Sequence, residues 1–337
     1  MRRSRKDDYS PPYTAYTSQF PADQPECVFA QVGVQSRGAD AGAARFGEWL
    51  RLAQVSGAGQ PQHVEVGWQL DAEGFRNDVA MIYWKHAAEM QRFWSRDDVA
   101  AWLDAPLDSE VGWWREALRA PVSALDANYS VEQATWGTGR HVPQTLEQFH
   151  GYYGSMRDRT PDFLEGRADG QEGRIAFLPE AKSRRRRLRV QAPDKVCFIR
   201  GAFGWDQALA EEQRAFMEEM FPVYRTGANY LRDHPLETNC ISARMIEEVH
   251  AGASNFVQSE TLAWFLTLKD LERWMHHHPT HAAIYGGVFK LMQKFDFKMR
   301  LNLGHEVIVV PEGQALLGYA NCHPGTGFLP FFPALPL

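Results

Sequence analysis

Apolar and polar positions in the first half of the chain follow two different periods. Alternation of period two begins at Cys27 and predicts a strand, whereas residues 41–54 carry apolar side chains at helical spacing. Two further alternating runs flank residues 71–74, where Asp and Gly favour a turn, and so predict a hairpin. Residues 85–105 return to helical spacing. The predicted order is therefore strand, helix, strand, strand, helix.

The second half of the chain repeats this order. The same two periods predict elements at residues 194–205 (strand), 210–233 (helix), 240–248 (strand), 261–274 (strand continuing into helix) and 279–295 (helix). In each half, two tryptophans ten residues apart mark a strand-to-helix junction: Trp84 and Trp94, then Trp264 and Trp274. Counted from the second tryptophan of each pair, His281 has an alanine as its counterpart in the first half. The repeated unit therefore carries this histidine only once.

The repeat predicts the fold class. Hairpin-connected strands alternating with helices are typical of an α+β fold, with antiparallel sheets and helices on one face. We predict two ferredoxin-like halves of the dimeric α+β barrel type, residues 27–150 and 195–337, with their sheets packed together. Residues 1–26 are polar and interrupted by prolines, which predicts an extended N-terminal arm rather than a packed element. Residues 151–194 would connect the two halves.

Composition and charge exclude several classes of protein. The 337 residues include 11 Trp, 11 Tyr and 20 Phe, which indicates a large aromatic core. The net charge of -6 and the lack of a recurrent basic face argue against binding to nucleic acid, and the arginines at residues 184–187 are expected to form a solvated loop. No signal-peptide core or membrane-length apolar run is present, and the four cysteines are scattered. We therefore expect a cytoplasmic protein that binds no membrane and no zinc.

The densest group of candidate side chains is the histidine-rich run HHHPTH at residues 276–281. Proline suits the first position of a helix and disfavours helical geometry before it, so the helix should begin at Pro279 and leave residues 276–278 in a loop. Apolar side chains recur at helical spacing from His281, which predicts that its imidazole faces the core. Small residues could leave room beside it for a flat group: Ala282, Ala283, Gly286 and Gly287. A core histidine beside a close helix crossing is the alternative.

A second histidine lies on the apolar face of a predicted strand. In residues 299–309 the alternation places His305 among Leu and Val side chains, where an imidazole needs a ligand or a hydrogen-bond partner. A histidine bonded to a nearby carbonyl is the alternative. His323, in the sequence NCHPGTG, is expected to lie in a loop. In GYYGSMRDRTP, residues 151–161, arginines among aromatic residues could form either a surface ion network or part of a pocket.

Taken together, these motifs resemble those of the haem-containing aldoxime dehydratases. The resemblance runs from about residue 27 to residue 328 and is carried by GYYGSMRDR, YLRD, ERW followed by HPTH, HEV and NCHPGTG. It implies one haem b, ferrous in the active form, between helix and sheet. It also implies a homodimer that converts aldoximes into nitriles: the aldoxime nitrogen binds the iron, and a distal histidine protonates the departing hydroxyl.

The resemblance assigns roles to particular residues. His281 corresponds to the axial ligand of the haem iron. The small size of Gly286, on the same helix, adds the expectation that it lies beside the cofactor. His305 corresponds to the distal histidine that acts as acid and base, as expected for a side chain that titrates near neutral pH. Arg159 corresponds to an arginine of the distal pocket, where it can orient His305 or the oxime oxygen.

One position departs from the family pattern. Family members commonly carry a serine just after an Ile-Arg pair, and its hydroxyl binds the oxime; this chain has Gly201 there. An acidic residue of the family's pocket corresponds to Asp126 if the alignment includes a gap. Either a water or another donor replaces the missing hydroxyl, or the leaving oxygen is held differently, or the protein is a haem lyase or isomerase for another N–O or N–N substrate. A distal His-Arg pair also suits a peroxidase-type enzyme, and a haem carrier or gas sensor is the non-catalytic alternative.

Overall fold

The computed structural model describes residues 3–107, 110–248 and 258–337, so the first two residues of the predicted arm lie outside it. Within these ranges the chain forms one sheet of fourteen strands. The strands are β1 (Tyr16–Ser18), β2 (Glu26–Ser36), β3 (His63–Leu70), β4 (Arg76–Trp84), β5 (Gly112–Pro121), β6 (Leu125–Tyr129), β7 (Gln144–Leu146), β8 (Arg187–Val190), β9 (Val196–Gly204), β10 (Cys240–Glu248), β11 (Gln258–Phe265), β12 (Asn302–Val310), β13 (Ala315–Ala320) and β14 (Ala334–Pro336).

The helices lie between these strands, mostly in pairs. They are α1 (Ala39–Gln54), α2 (Ala87–Trp94), α3 (Asp97–Leu103), α4 (Ser155–Arg159), α5 (Pro161–Leu164), α6 (Ala210–Ala215), α7 (Phe221–Asp233), α8 (Pro235–Thr238), α9 (Leu268–His277) and α10 (Pro279–Lys294). A π-helical turn, Phe216–Met220, joins α6 to α7. Short 3₁₀ turns occur at Val122–Ala124 and Thr138–Arg140.

The internal repeat is visible in the order of the strands. In the first half the neighbours are β5, β2, β4 and β3, which are the fourth, first, third and second strands of that unit along the chain. In the second half β12, β9, β11 and β10 have the same order. All these pairings are antiparallel, and β3 pairs with β10 to join the two units. The mixed helix and antiparallel sheet fold is therefore built from two similar units.

Each unit is extended by strands from elsewhere in the chain. β6, which follows the first unit, pairs with β12 of the second, and β1 and β7 continue the sheet beyond it. At the other end β13, which follows the second unit, pairs with β5, and β8 and β14 complete that edge. The strand that follows each unit thus pairs with the other unit. These pairings hold the two units together in addition to the packing of side chains.

Aromatic side chains from both units form the core between the two parts of the sheet. Phe29 of β2 and Phe198 of β9 have ring centroids 5.3 Å apart, in a buried cluster that also contains Trp114 and Trp264. A charged group crosses the same core: the fully buried Arg200 binds the carboxylates of Glu65 and Glu260. Buried charges in this arrangement are neutralised by their partners. The opposite faces of the sheet are covered by the helices.

Most of the predicted elements are confirmed, and four details differ. The predicted helix at residues 85–105 is two helices with a break at Ser95 and Arg96. Residues 276–277 belong to the last turn of α9 rather than to a loop, because proline at 279 constrains only residue 278 directly. The proline-rich arm contains a strand, β1. The tryptophan repeat does not superpose in three dimensions: Trp84 faces the helices, whereas Trp264 faces the core between the units.

None of the helices in the described ranges is long and apolar enough to cross a membrane. The four cysteines are buried and form no disulfide.

Candidate active site

A row of side chains crosses four neighbouring strands on the helix-covered face of the second unit. His305 of β12 lies directly opposite Asn128 of β6 on one side and Gly201 of β9 on the other. Gly201 in turn lies opposite Thr261 of β11. Residues directly opposite each other in antiparallel strands point to the same face. The row therefore presents Asn128, His305, Gly201 and Thr261 to one cavity, and all four line it.

His305 is tied to a buried ion pair. Its Nε2 atom lies 2.9 Å from Oδ2 of Asp126 and 3.2 Å from a terminal nitrogen of Arg159. Arg159 donates two hydrogen bonds to the Asp126 carboxylate, at 2.6 and 2.7 Å, in the bidentate geometry that suits a guanidinium. The structure thus brings together three of the residues predicted from sequence.

The sequence explains how these three groups meet. Alternation along β6 places Asp126 and Asn128 on the same face, next to β12. Arg159 is the last residue of α4, whose start at Gly154 has the left-handed backbone that glycine adopts readily (φ 89°). A further hydrogen bond, from Arg159 to the carbonyl oxygen of Phe149 at 3.1 Å, fixes the guanidinium from the side remote from His305.

Burial and charge act in opposite directions on this pair. The side chains of Arg159 and Asp126 are only 4% and 1% exposed. Burial by itself would raise the pKa of Asp126, but the charge of Arg159 and the hydrogen bonds from His305 and Arg159 hold that pKa well below its ordinary value. Burial would likewise lower the pKa of Arg159, and Asp126 raises it. Asp126 is therefore an anion and Arg159 a cation at neutral pH.

His281 lies on the helical side of the same cavity. The helix α10 begins at Pro279, and the side chain of His278 caps it by accepting a hydrogen bond from the main-chain nitrogen of Thr280. The His281 ring packs edge-on against Trp274 of α9, with centroids 4.8 Å apart. The structure confirms that His281 faces inward rather than into solvent.

The surroundings of His281 favour the neutral imidazole and leave one of its ring nitrogens without a hydrogen bond in the described part of the chain. Burial lowers its pKa to about 4, an effect that the main chain of Met275 partly opposes. Among the described residues, none makes a hydrogen bond of normal geometry to its Nδ1 atom, which is buried. A buried polar atom without a partner is costly, and a neutral imidazole is the form that binds metal ions. His281 is therefore a neutral imidazole in the wall of the cavity, which is the form in which histidine can serve as a ligand.

The cavity between α10 and the sheet is mainly apolar. His281 and His305 both line it, together with apolar side chains from the sheet and from the helices: Ile199, Leu231, Ile284, Val288, Leu303 and Val307. Ile284 and Val288 of α10 are only partly buried, although they lie on the inner face of the helix. The inner face of α10 thus borders a space large enough to leave its apolar residues incompletely packed.

Gly286 is not brought to this cavity. It is absent from the residues of the described chain that line the cavity, and a Cβ atom built on it would meet nothing within 4 Å. Five residues at 100° each place it about 140° around the helix from His281. At Gly287 a Cβ atom would come within 2.7 Å of Sδ of Met220, so this glycine permits close helix packing. Gly287 therefore allows the close packing of α10 that the alternative interpretation expected. Gly286 makes no contact with the site.

Other residues of the site were missed in the sequence. His150 is 1% exposed and lines the cavity, and neither of its ring nitrogens is hydrogen-bonded to residues 3–107, 110–248 or 258–337. Burial and the charge of Arg159 lower its pKa to about 4. Tyr13 also lines the cavity, and its ring lies 4.8 Å from that of His150. His150 directly precedes the GYYG motif, which was a usable signal, whereas Asn128 and Thr261 had no distinguishing pattern around them.

The arm reaches the site within its own chain. The Tyr9 hydroxyl donates a hydrogen bond to the His150 carbonyl at 2.9 Å, and the Ser4 main-chain nitrogen donates to Asp158 at 2.9 Å. Tyr13 follows from the same segment. The N-terminal residues therefore help to close the cavity instead of extending away from it.

The fold and the cavity together define a class of protein. It is an α+β protein in which a neutral histidine on a helix faces a histidine on the sheet that contacts a buried ion pair. A family model described as haem-containing dehydratase matches residues 30–328, and the chain belongs to that family.

Curated relatives align over nearly the whole chain. The phenylacetaldoxime dehydratase of Bacillus sp. (strain OxB-1) is 31% identical, with 98% of this chain and 95% of the relative covered. The aliphatic aldoxime dehydratase of Rhodococcus globerulus is 28% identical, with 98% and 94% covered. A crystal structure of aldoxime dehydratase (OxdRE) in complex with butyraldoxime matches with a TM-score of 0.89 and 26% identity, over 98% of this chain and 92% of that one.

Proposed function

We propose that this protein is a haem-dependent aldoxime dehydratase, which removes water from an aldoxime to give a nitrile. The observation that carries the proposal is the placement of His281 and His305 on facing elements of one apolar cavity, with His305 bound to the Asp126–Arg159 pair. The phenylacetaldoxime and aliphatic aldoxime dehydratases, which are named for the same activity, are similar to this protein along almost the full chain.

The architecture that goes with this activity is also part of the proposal. Two ferredoxin-like halves, residues 27–150 and 195–337, are supported by the fourth, first, third, second strand order of each unit. Residues 1–26 would be the arm, and residues 151–194 would be the connecting segment, whose short helix α4 carries Arg159. We further propose a homodimer in the cytoplasm; four unpaired, buried cysteines suit a reducing compartment.

The residues present fit a haem. The neutral imidazole of His281 would hold the iron of a haem b, through Nε2 because Nδ1 is buried. In its ferrous form this haem would supply an iron that binds the oxime nitrogen and lends it electron density. The apolar surface of α10 and the sheet would exclude water from the reacting bond.

The reaction is a dehydration with no net oxidation: the N–O bond and the aldoxime C–H bond break, the C≡N bond forms, and water leaves. Hydroxide is a poor leaving group, so a proton must reach the oxygen as the N–O bond breaks. We assign this transfer to His305. After it has given a proton to the departing hydroxyl, the neutral ring can accept the carbon-bound proton, which restores its starting form.

Asp126 and Arg159 suit His305 for both steps. Nε2 of His305 has an acceptor, Asp126 Oδ2, and a donor, the Arg159 guanidinium, within hydrogen-bond distance. This nitrogen can therefore be held whether or not it carries a proton, and Nδ1 remains for the substrate. The ion pair fixes the ring and costs no reorganisation during the reaction.

Two alanine variants test the assignment of the histidines. His281→Ala should purify without haem, because it removes the axial ligand, whereas His305→Ala should retain haem and lose nitrile formation. His277→Ala, an exposed residue at the end of α9, is the control and should retain both properties. Haem content is read from the absorption spectrum, and nitrile by chromatography. A fully haem-loaded His281→Ala protein would contradict the axial assignment.

Two features favour other haem chemistries as second candidates. Gly201, in place of the family serine, favours a lyase or isomerase that acts on another N–O or N–N substrate. The adjacent His305 and Arg159 side chains could also assist O–O cleavage in a peroxidase. Nitrile formation from aldoximes under anaerobic, reducing conditions separates the first from our proposal. Rapid peroxide turnover by the ferric protein, without aldoxime activity, would support the second.

A further inference from the structure

Gly201 of β9 lies directly opposite His305 and, because it has no side chain, offers no side-chain hydrogen-bond donor. A Cβ atom built on Gly201 would meet nothing within 4 Å, so open space lies where a side chain would project. The backbone at this position is ordinary strand, and the absence of a side chain is therefore not required by a turn or by packing. A substrate hydroxyl above His305 must find its donor elsewhere.

Two hydroxyl side chains on the sheet side of the cavity already have hydrogen-bond partners: Thr261 of β11 and Ser130, which directly follows β6. The Thr261 hydroxyl oxygen accepts a hydrogen bond from the Tyr224 hydroxyl at 2.7 Å, and the Tyr224 hydroxyl also lies 2.9 Å from the Gly201 carbonyl oxygen. Ser130 donates to the Leu301 carbonyl at 3.0 Å. Both hydroxyls are therefore already engaged in hydrogen bonds within the protein.

Asn128 differs from these two residues. Its side-chain nitrogen is buried, has no hydrogen-bond partner in the part of the chain that the structure describes, and belongs to a residue that lines the cavity. Asn128 is directly opposite His305 in the β6–β12 pairing, on the side away from Gly201. Directly opposite residues have Cβ atoms about 4.5–5.5 Å apart, so the amide and the imidazole can reach the same small group.

We propose that Asn128 binds the hydroxyl oxygen of the aldoxime and takes the place of the donor that Gly201 does not provide. The proposal rests on the proposed aldoxime dehydratase function. Asn128 donates a hydrogen bond from its amide N–H to the oxime oxygen, while His305 delivers the proton that turns this oxygen into water. A neutral amide cannot itself lose the proton, so the two residues have separate roles: Asn128 holds the oxygen and His305 protonates it.

A role in substrate binding explains why the protein retains the Asn128 amide in a buried position that destabilises the fold. A buried amide hydrogen without a partner destabilises the protein unless a ligand satisfies it, and a substrate oxygen would do so on binding. The interaction would strengthen as negative charge develops on the leaving oxygen, which makes it larger in the transition state than in the bound substrate. The expected signature is therefore a larger effect on kcat than on substrate binding.

The first test is Asn128→Leu, which has nearly the same shape and no donor. We expect kcat/KM for phenylacetaldoxime to fall about five- to fiftyfold, mostly in kcat, with haem content unchanged. Binding is measured separately in a His305→Ala background, which should not turn over. There, Asn128→Leu should raise the dissociation constant of phenylacetaldoxime, from the change in haem absorption of the reduced, anaerobic protein, by about two- to tenfold.

A hydrogen-bond donor introduced at position 201, on the other side of His305, distinguishes a substrate contact of Asn128 from a structural role. Gly201→Ser should recover most of the activity lost in Asn128→Leu, because the open space at Gly201 accepts the hydroxyl. Gly201→Ala in the same background is the matched control and should recover nothing. A loss in Asn128→Leu that Gly201→Ser does not recover would mean that Asn128 acts structurally, and it would overturn the proposal.

The remaining outcomes distinguish this inference from the function on which it rests. If the unaltered protein forms nitrile and Asn128→Leu stays within twofold of it in both kcat/KM and the dissociation constant, the role of Asn128 is wrong and the dehydratase function stands. If the unaltered, haem-loaded protein forms no nitrile from aldoximes, the proposed function is wrong, and the role of Asn128 falls with it.

Discussion

Replacement of Asp126 by asparagine should strongly destabilise the fold. The carboxylate accepts hydrogen bonds from Arg159 at 2.6 and 2.7 Å and lies 2.9 Å from Nε2 of His305. An amide of the same shape has only one acceptor oxygen and no charge, so the guanidinium, 4% exposed, would be left without a counter-charge. Removal of one partner from a buried pair costs about 3–5 kcal/mol, and we expect Asp126→Asn to lie in that range near pH 7.

The effect should depend on pH in a defined direction. The pKa of Asp126 in the folded protein lies below its ordinary value of 3.8. The stability that its ionised form contributes is therefore fully present above about pH 4 and is lost as the pH falls further towards the pKa of the folded state. The variant lacks this contribution at every pH, so the difference in unfolding free energy between the two proteins should shrink below pH 4.

Urea unfolding at matched haem loading, followed by tryptophan fluorescence between pH 7 and pH 3, measures this difference. Asp98→Asn is the matched control, because Asp98 forms an ion pair with Arg96 at 2.6 Å but is half exposed. Exposed pairs contribute about 0–1 kcal/mol, so this control should change stability little. A loss below about 1 kcal/mol for Asp126→Asn, or one that does not change between pH 7 and pH 3, would refute the reasoning.

Two further predictions concern the guanidinium and the helix glycines. Arg159→Lys should retain haem but lower kcat by about a hundredfold, because an ammonium cannot form the bidentate contact; steady-state kinetics and absorption spectra measure both, and a kcat within threefold of the original would contradict it. Gly286→Ala should leave haem binding unchanged and stabilise α10 by about 1 kcal/mol, since its Cβ meets open space. Gly287→Ala should gain less, because its Cβ approaches Met220. Thermal unfolding compares the pair, and equal stabilities would refute the packing argument.

The elements and the two principal histidines could be predicted because they depend on local pattern. Period-two and helical spacing extend over eight or more residues in β2, β4, β9, α7 and α10, and they also decide which face a side chain occupies. His281 and His305 are placed inward by the same argument, and both line the cavity. The roles of these residues came from the family resemblance, since an inward-facing histidine alone is equally compatible with a core hydrogen bond.

The rest of the site depends on contacts between distant parts of the chain. Asp126 and Asn128 reach His305 only because β6 pairs with β12, about 180 residues later, and strand pairing across such a distance leaves no local signal. The sequence pattern likewise placed Gly286 beside the cofactor because it is small, although its angle around α10 points it away from His281. The arm was predicted to be extended, but the contact of Tyr9 with His150 could not be seen in its composition.

The central claim is that a haem bound at His281 supports aldoxime dehydration in the cavity that His305 faces. The most direct measurement is an anaerobic titration of the dithionite-reduced, haem-loaded protein with phenylacetaldoxime, followed by analysis of the products. The account predicts a saturable change in the haem absorption spectrum and the formation of phenylacetonitrile. An unchanged spectrum together with an absence of nitrile would contradict it.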